Sequence, residues 1–185
     1  MRQINARLIL LLVIFSFPNF AISQQHEISY IKKKMTDDWV LAKQHTLAYV
    51  NAIPSDKCNF RPVDIDTVMT FAEQIIHLAV TSSFFVFMAT DKIPPEFTWA
   101  DIDNRPNYHS KDSLLFYVTK SYDYCINSIN SFNSNRWTET KEFSNTTKTR
   151  YDFLEHASEH QTHHRGQTAV YLRLMGIKPP EPNPF

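Results

Sequence analysis

The residues best suited to chemistry lie near the C-terminus, in the run His156-Ala157-Ser158-Glu159-His160-Gln161-Thr162-His163-His164-Arg165-Gly166-Gln167. Four of the chain's eight histidines fall in this stretch. His156, His160 and His164 recur every four residues, a spacing that stacks side chains on one face of a helix. Stacked imidazoles of this kind point to a metal site. His160 and His164 can approach one ion together. A single ion cannot readily meet three successive turns, so His156 is assigned a supporting or structural role beside the ligands. His163 is rotated away from the pair and belongs at a helix interface or in solvent. The third ligand then has to come from another helix. His77 fits, because it is central in a second helical pattern and flanked by apolar positions.

Three neutral imidazoles with an open coordination position suit a divalent cation, zinc or nickel first, with iron and manganese chemically conceivable. Such a centre polarises a bound group or lowers the pKa of water or a thiol. The HExxH arrangement of zinc proteases is absent, since Glu159 precedes His160 instead of lying between the paired histidines. Glu73, one turn before His77, has two readings: it orients a ligand or accepts a proton, or it is a boundary carboxylate paired with Lys or Arg. Arg165 is expected to pair with a carboxylate and Gln167 to bridge backbone groups. Gly166 costs about 1 kcal/mol relative to alanine inside a helix, and close helix packing is the natural reason for it. A polar, histidine-rich helix face remains the alternative reading of the cluster. His26, His45 and His109 have no comparable partner pattern.

Positioning these residues requires long helices. Apolar residues recur at helical spacing over residues 27–53, from about 64 or 66 to 89, 111–132 and 149–175. Asp64 or Asp66 is expected to cap the second segment, and Gly176 to end the fourth. The connection 92–110 is long and is expected to cover one end of the domain or to form an ordered crossover. Residues 133–148 are rich in Asn, Ser and Thr and read as a loop, poorly ordered or carrying a short extended pair. Asn145-Thr146-Thr147 matches a glycosylation acceptor. Four helices that each carry one apolar side bury it by packing together. The expected fold is all-α, a four-helix bundle with long crossover connections.

The start of the chain has the pattern of an export signal. Arg2 and Arg7 precede an apolar run, and Ala21-Ile22-Ser23 supplies small residues for cleavage after Ser23. This divides the chain into a signal peptide, 1–23, a domain, 24–180, and a tail, 181–185. The expected location is periplasmic or secreted, with no stable membrane span after cleavage, because the run is short of the roughly 20 residues a span needs. Two glycines in 185 residues argue against phosphate-cradling nucleotide folds. Charge is balanced, with 19 basic and 19 acidic residues and no basic block, so nucleic acid is not an expected partner. Cys58 and Cys125 are either joined by a disulfide or, more plainly, a loop thiol and a buried helical thiol.

The run His160-Gln161-Thr162-His163-His164-Arg165-Gly166-Gln167 resembles the HxxxHRGQ signature of the DinB-like family, also called DinB/YfiT-like. The continuation Tyr171-Leu172-Arg173-Leu174-Met175-Gly176 and the earlier segment from Phe71 through Glu73 and His77 resemble the family's fourth-helix ending and second-helix ligand segment. The resemblance extends over nearly all of residues 27–180. It implies a four-helix bundle in which His77, His160 and His164 hold a divalent metal, and a homodimer, since the family is often dimeric. Relatives include thiol-dependent transferases, isomerases and hydrolases. Two readings follow. The chain is a metal-dependent hydrolase or thiol-dependent transferase acting on an unidentified small molecule, or it is an exported bundle that binds metal or a small ligand without turnover.

Overall fold

A computed structural model describes residues 6–63, 65, 67–94 and 108–181, with side chains from residue 25 onward. Among the described residues there are four α-helices and one hairpin: α1 Ala6–Ala52, α2 Phe71–Thr90, α3 Lys111–Ser131, β1 Thr140–Phe143, β2 Thr146–Thr149 and α4 Arg150–Leu174. Helix α2 packs most heavily on α4 and also on α3, while α1 packs on α3 and only lightly on α4. The all-α bundle is therefore the observed architecture. Helix α1 starts well before the expected residue 27 and its backbone runs unbroken through residue 23. Most of the connection 92–110 lies outside the described residues, as do Asp64 and Asp66.

Local signals set the helix ends. Helix α2 begins at Phe71, later than expected, because Thr70 and Glu73 form a reciprocal capping box. Thr70 Oγ1 accepts from Glu73 N at 3.2 Å, and the Glu73 carboxylate accepts from Thr70 N at 2.6 Å. Thr149 and Asp152 repeat the device at the start of α4, at 2.7 and 3.1 Å. At the far end of α4, Gly176 takes φ 75°. Gly176 N donates to Arg173 O and Ile177 N to Leu172 O, both at 2.9 Å. That pair of bonds is a Schellman ending.

The core joins Trp39, Tyr49 and Val50 of α1 to Ile75, Ile76 and Val86 of α2, Leu114, Val118 and Tyr122 of α3, and Phe153, Leu154 and Leu172 of α4. Helix α2 has the length and composition of a membrane span, yet 61% of that apolar stretch is buried against the other elements. Its apolarity is that of a central core helix. Phe84, expected inside, is 40% exposed and lies 5.8 Å from Phe143 of the hairpin. Cys58 and Cys125 are both buried free thiols.

Residues 133–148 contain the short extended pair, one of the two expectations for them. Ser134–Arg136 forms a short 3-10 turn and 140–149 form an antiparallel hairpin, with Phe143 opposite Thr146 and Thr140 opposite Thr149. Ser144 and Asn145 at its tip have φ of 47° and 65°, the left-handed pair that matches strand twist in two-residue turns. Four threonines in the two strands supply β-branched residues suited to pairing. A lone hairpin is marginal, and this one is tied down by charge. Arg150 is 5% exposed and holds Glu139 at 2.9 Å, Asp91 at 2.8 Å and the Ala89 carbonyl at 2.7 Å. Asp91, at the left-handed end of α2, also takes Lys141 and, at 3.5 Å, Arg136. One carboxylate thus links the end of α2, the hairpin and the start of α4.

Candidate metal centre

Helix α2 contributes His77 and helix α4 contributes His160 and His164 to one cluster. One ring nitrogen from each lies within 4.8 Å of the others. His77 Nε2 and His160 Nε2 are 3.1 Å apart. The ring centroids of His77 and His164, and of His160 and His164, are 4.4 Å apart. Two nitrogens bound tetrahedrally to one ion at about 2.0–2.1 Å sit about 3.3 Å apart, so the His77–His160 pair is already near that separation.

His164 Nδ1 lies 2.5 Å from Gln74 Oε1. Gln74 Nε2 donates to Gln167 Oε1 at 2.6 Å, and Gln167 Nε2 reaches His163 Nε2 at 2.7 Å. With the two amides oriented as they stand, the donors and acceptors run in one direction. His164 carries its proton on Nδ1, Gln74 accepts it and donates onward to Gln167, and Gln167 donates to His163. The relay leaves His164 Nε2 with its lone pair for a cation. Gln74 is 4% exposed, so both ends of its amide depend on these protein partners.

The electrostatics favour neutral rings. Burial holds His77 below its ordinary value. Burial, then the neighbouring His77, lowers His160 to about 4 and His164 to about 3. His160 Nδ1 is buried with no hydrogen-bond partner. Three uncharged imidazoles with converging nitrogens fit a divalent cation.

A model of the DinB superfamily matches residues 39–168. The chain belongs to the DinB superfamily. Two solved structures share the fold. A DinB-like protein from Bacillus subtilis is 17% identical with a TM-score of 0.62, the match covering 77% of this chain and 92% of that one. Another, from Bacillus cereus, is also 17% identical with a TM-score of 0.67, covering 80% and 95%. No curated protein matches the sequence.

Within this DinB-superfamily fold the other expected residues take distinct places. His156 is exposed, its ring centroid 4.4 Å from that of Phe85 in an edge-on contact and 6.2 Å from that of His160, outside the triad. Glu73, one of the two supporting candidates, is committed to the α2 cap and lies 3.8 Å from Arg61. Arg165 finds neutral oxygens instead of the expected carboxylate. It bonds Gln161 Oε1 and, at 3.2 Å, Thr46 Oγ1. Tyr122 completes this group, 2.8 Å from Thr46 Oγ1 and 2.9 Å from Gln161 Oε1. Burial raises the Tyr122 hydroxyl to about 12, so it stays protonated and available as a donor. Gln167 bridges side chains, not the backbone as expected. Gly166 does not serve close packing, because a Cβ there would meet nothing within 4 Å.

Gln74 is the site residue that sequence reading misses. It sits between Glu73 and the apolar pair Ile75-Ile76 and carries no spacing signal of its own. The one available hint is a buried-side position occupied by an amide in an otherwise apolar helix. Two cavities flank the centre. The larger, about 710 Å³, runs between α1 and α4 past Tyr30, Met35 and His163. The smaller, about 330 Å³, lies between Phe85, the hairpin and His156. None of the three clustered histidines lines either one, so cavity size does not locate the chemistry here; the donor geometry does.

Proposed function

We propose that this chain is a divalent-metal-dependent enzyme with His77, His160 and His164 as ligands, acting as a hydrolase or thiol-dependent transferase on a small molecule. The observation that carries the reading is the convergence of one ring nitrogen from each histidine within 4.8 Å, with His164 Nδ1 held against Gln74 Oε1 at 2.5 Å. A divalent ion held there would act as a Lewis acid and make a water or thiol nucleophilic near neutral pH. The chain's own part is to keep three imidazoles neutral and oriented. Gln74 sets one ring, and the surrounding apolar residues of α2 limit water. Arg165 stays in the buried network with Thr46 and Tyr122, holding α4 against α1 and α3. Zinc and nickel are the favoured ions.

The second reading is a bundle that binds metal or a small ligand without turnover. It is favoured by the use of Glu73: its carboxylate accepts from Thr70 N and faces Arg61, which leaves it occupied as a cap. Export to the periplasm or exterior belongs to the same proposal and is supported by the leader-like first residues. Pairing into a homodimer is supported by the habit of the family.

Metal analysis of protein purified without a histidine tag tests the site. One ion per chain is expected, lost on replacing His77, His160 or His164 individually. Full occupancy that survives each replacement would sink the assignment. A metal-loaded protein inert toward both ester and thiol–electrophile panels would favour the second reading.

A further inference from the structure

The smaller cavity has a floor of aromatic rings. Phe85 of α2, Phe143 of the hairpin and Phe153 of α4 pack on one another with centroids 5.9 to 6.4 Å apart. His156 closes one side, edge-on to Phe85 at 4.4 Å. The volume of about 330 Å³ falls at the small end of ligand pockets, which start on the order of 300 Å³. The remaining wall is charged and one-sided. Asp152, Glu155 and Glu159 line it against a single cation, Lys148. The faces of aromatic rings are electron-rich and attract organic cations.

We propose that this cavity binds a small organic cation with an apolar body, an aralkyl ammonium being the simplest case, with the body on the phenylalanine floor and the ammonium toward Glu155 and Glu159. Phe85 and His156 each lie 6.2 Å from the His160 ring. A ligand longer than the cavity would have to pass these two rings to reach the histidine triad, and this second half of the inference rests on the metal reading. The pocket itself does not, because its walls include no ligand of the proposed ion.

The choice of a cation follows from charge. An anionic ligand of the same shape meets three carboxylates and one lysine, and like-charge juxtaposition at a binding surface is unfavourable. A neutral ligand uses the floor alone.

The test is an NMR titration of the chelated protein with benzylamine, benzyl alcohol and benzoate, following the His156 ring and the Phe143 and Phe153 resonances. Benzylamine is expected to saturate at those resonances, with benzoate about tenfold weaker or more. Phe143→Ala is expected to weaken benzylamine about tenfold. Glu159→Gln, an exposed helix position that leaves the hairpin intact, is expected to weaken benzylamine about threefold and leave benzyl alcohol unchanged. Equal binding of benzylamine and benzoate overturns the proposal. So does the absence of saturable shifts, or shifts confined to Tyr30 and Met35 in the larger cavity. Chelated protein that binds benzylamine while the same protein never takes up metal keeps the pocket and removes the metal reading. The reverse result keeps the metal and removes the pocket.

Discussion

Gln74 Oε1 accepts from His164 Nδ1 across the α2–α4 contact at 2.5 Å, and Gln167 holds the other end of the same amide at 2.6 Å. Two residues of the HxxxHRGQ run therefore act on each other through a third residue on a different helix. Gln74→Leu removes the acceptor and is expected to lower metal affinity by about 10–100-fold. Gln74→Glu keeps an acceptor for His164 and should restore most of that loss. Nitrogen-15 shifts of the His164 ring in the metal-free protein give a separate readout, moving from the Nδ1–H form toward a mixture in the leucine variant only. Unchanged shifts in that variant would refute the relay.

The depressed histidines make stability depend on pH in a defined direction. His160 and His164 fall from 6.5 to about 4 and about 3, with burial the leading cause. Between those values and 6.5 the unfolded chain binds protons that the folded chain does not, so stability rises with pH there. Metal-free protein is thus expected to keep its full stability above about pH 6.5 and lose it progressively toward pH 4. Both residues are only partly buried, so solvent screening makes the slope fall short of the full linkage value. Denaturant midpoints of chelated wild type and His160→Asn, compared from about pH 7.5 to 5, should converge as pH falls. Parallel curves would show that burial of this ring does not depress its titration.

How much of this is legible in sequence differs by element. The start of α3 and both ends of α4 are readable because Ser110, whose Oγ accepts from Ser113 N at 3.3 Å, Thr149 and Gly176 are local signals with local consequences. The start of α2 is not, because in sequence Asp64, Asp66 and Thr70 are all acceptable caps, and the reciprocal hydrogen bonds that place the start at Thr70–Glu73 are visible only in the structure. The hairpin hides behind a polar composition that resembles disorder, and its stability comes from Arg150, Asp91 and Glu139, which are distant from one another in sequence. The triad is legible because helical periodicity places His160 and His164 together and an inward histidine is rare. Gln74 is not, since its role exists only once α2 and α4 lie side by side.

Gly166 departs from the usual role of a glycine inside a helix. A glycine inside a helix invites a packing explanation, yet open space faces its missing Cβ. Gly166→Ala should therefore stabilise the protein by about 1 kcal/mol, from helix propensity alone. Thermal or denaturant unfolding of chelated protein measures it. Destabilisation would mean that the position is used in an assembly or a bound state.

The group formed by Thr46, Tyr122, Gln161 and Arg165 crosses three helices. Tyr122→Phe removes one hydroxyl from a fully buried position and leaves its neighbours short of a partner. A loss of about 1–2 kcal/mol is expected, with metal stoichiometry unchanged. A neutral effect on unfolding would show that water replaces the hydroxyl.

The shared Asp91 carboxylate has a consequence for the ring it indirectly places. Phe143 rides on a hairpin whose attachment to α2 passes through Arg150, Lys141 and Arg136, all meeting that one half-exposed acid. Screening by dissolved ions weakens such attachments. The shape of the aromatic floor is therefore coupled to ionic strength, even for an occupant that bears no charge.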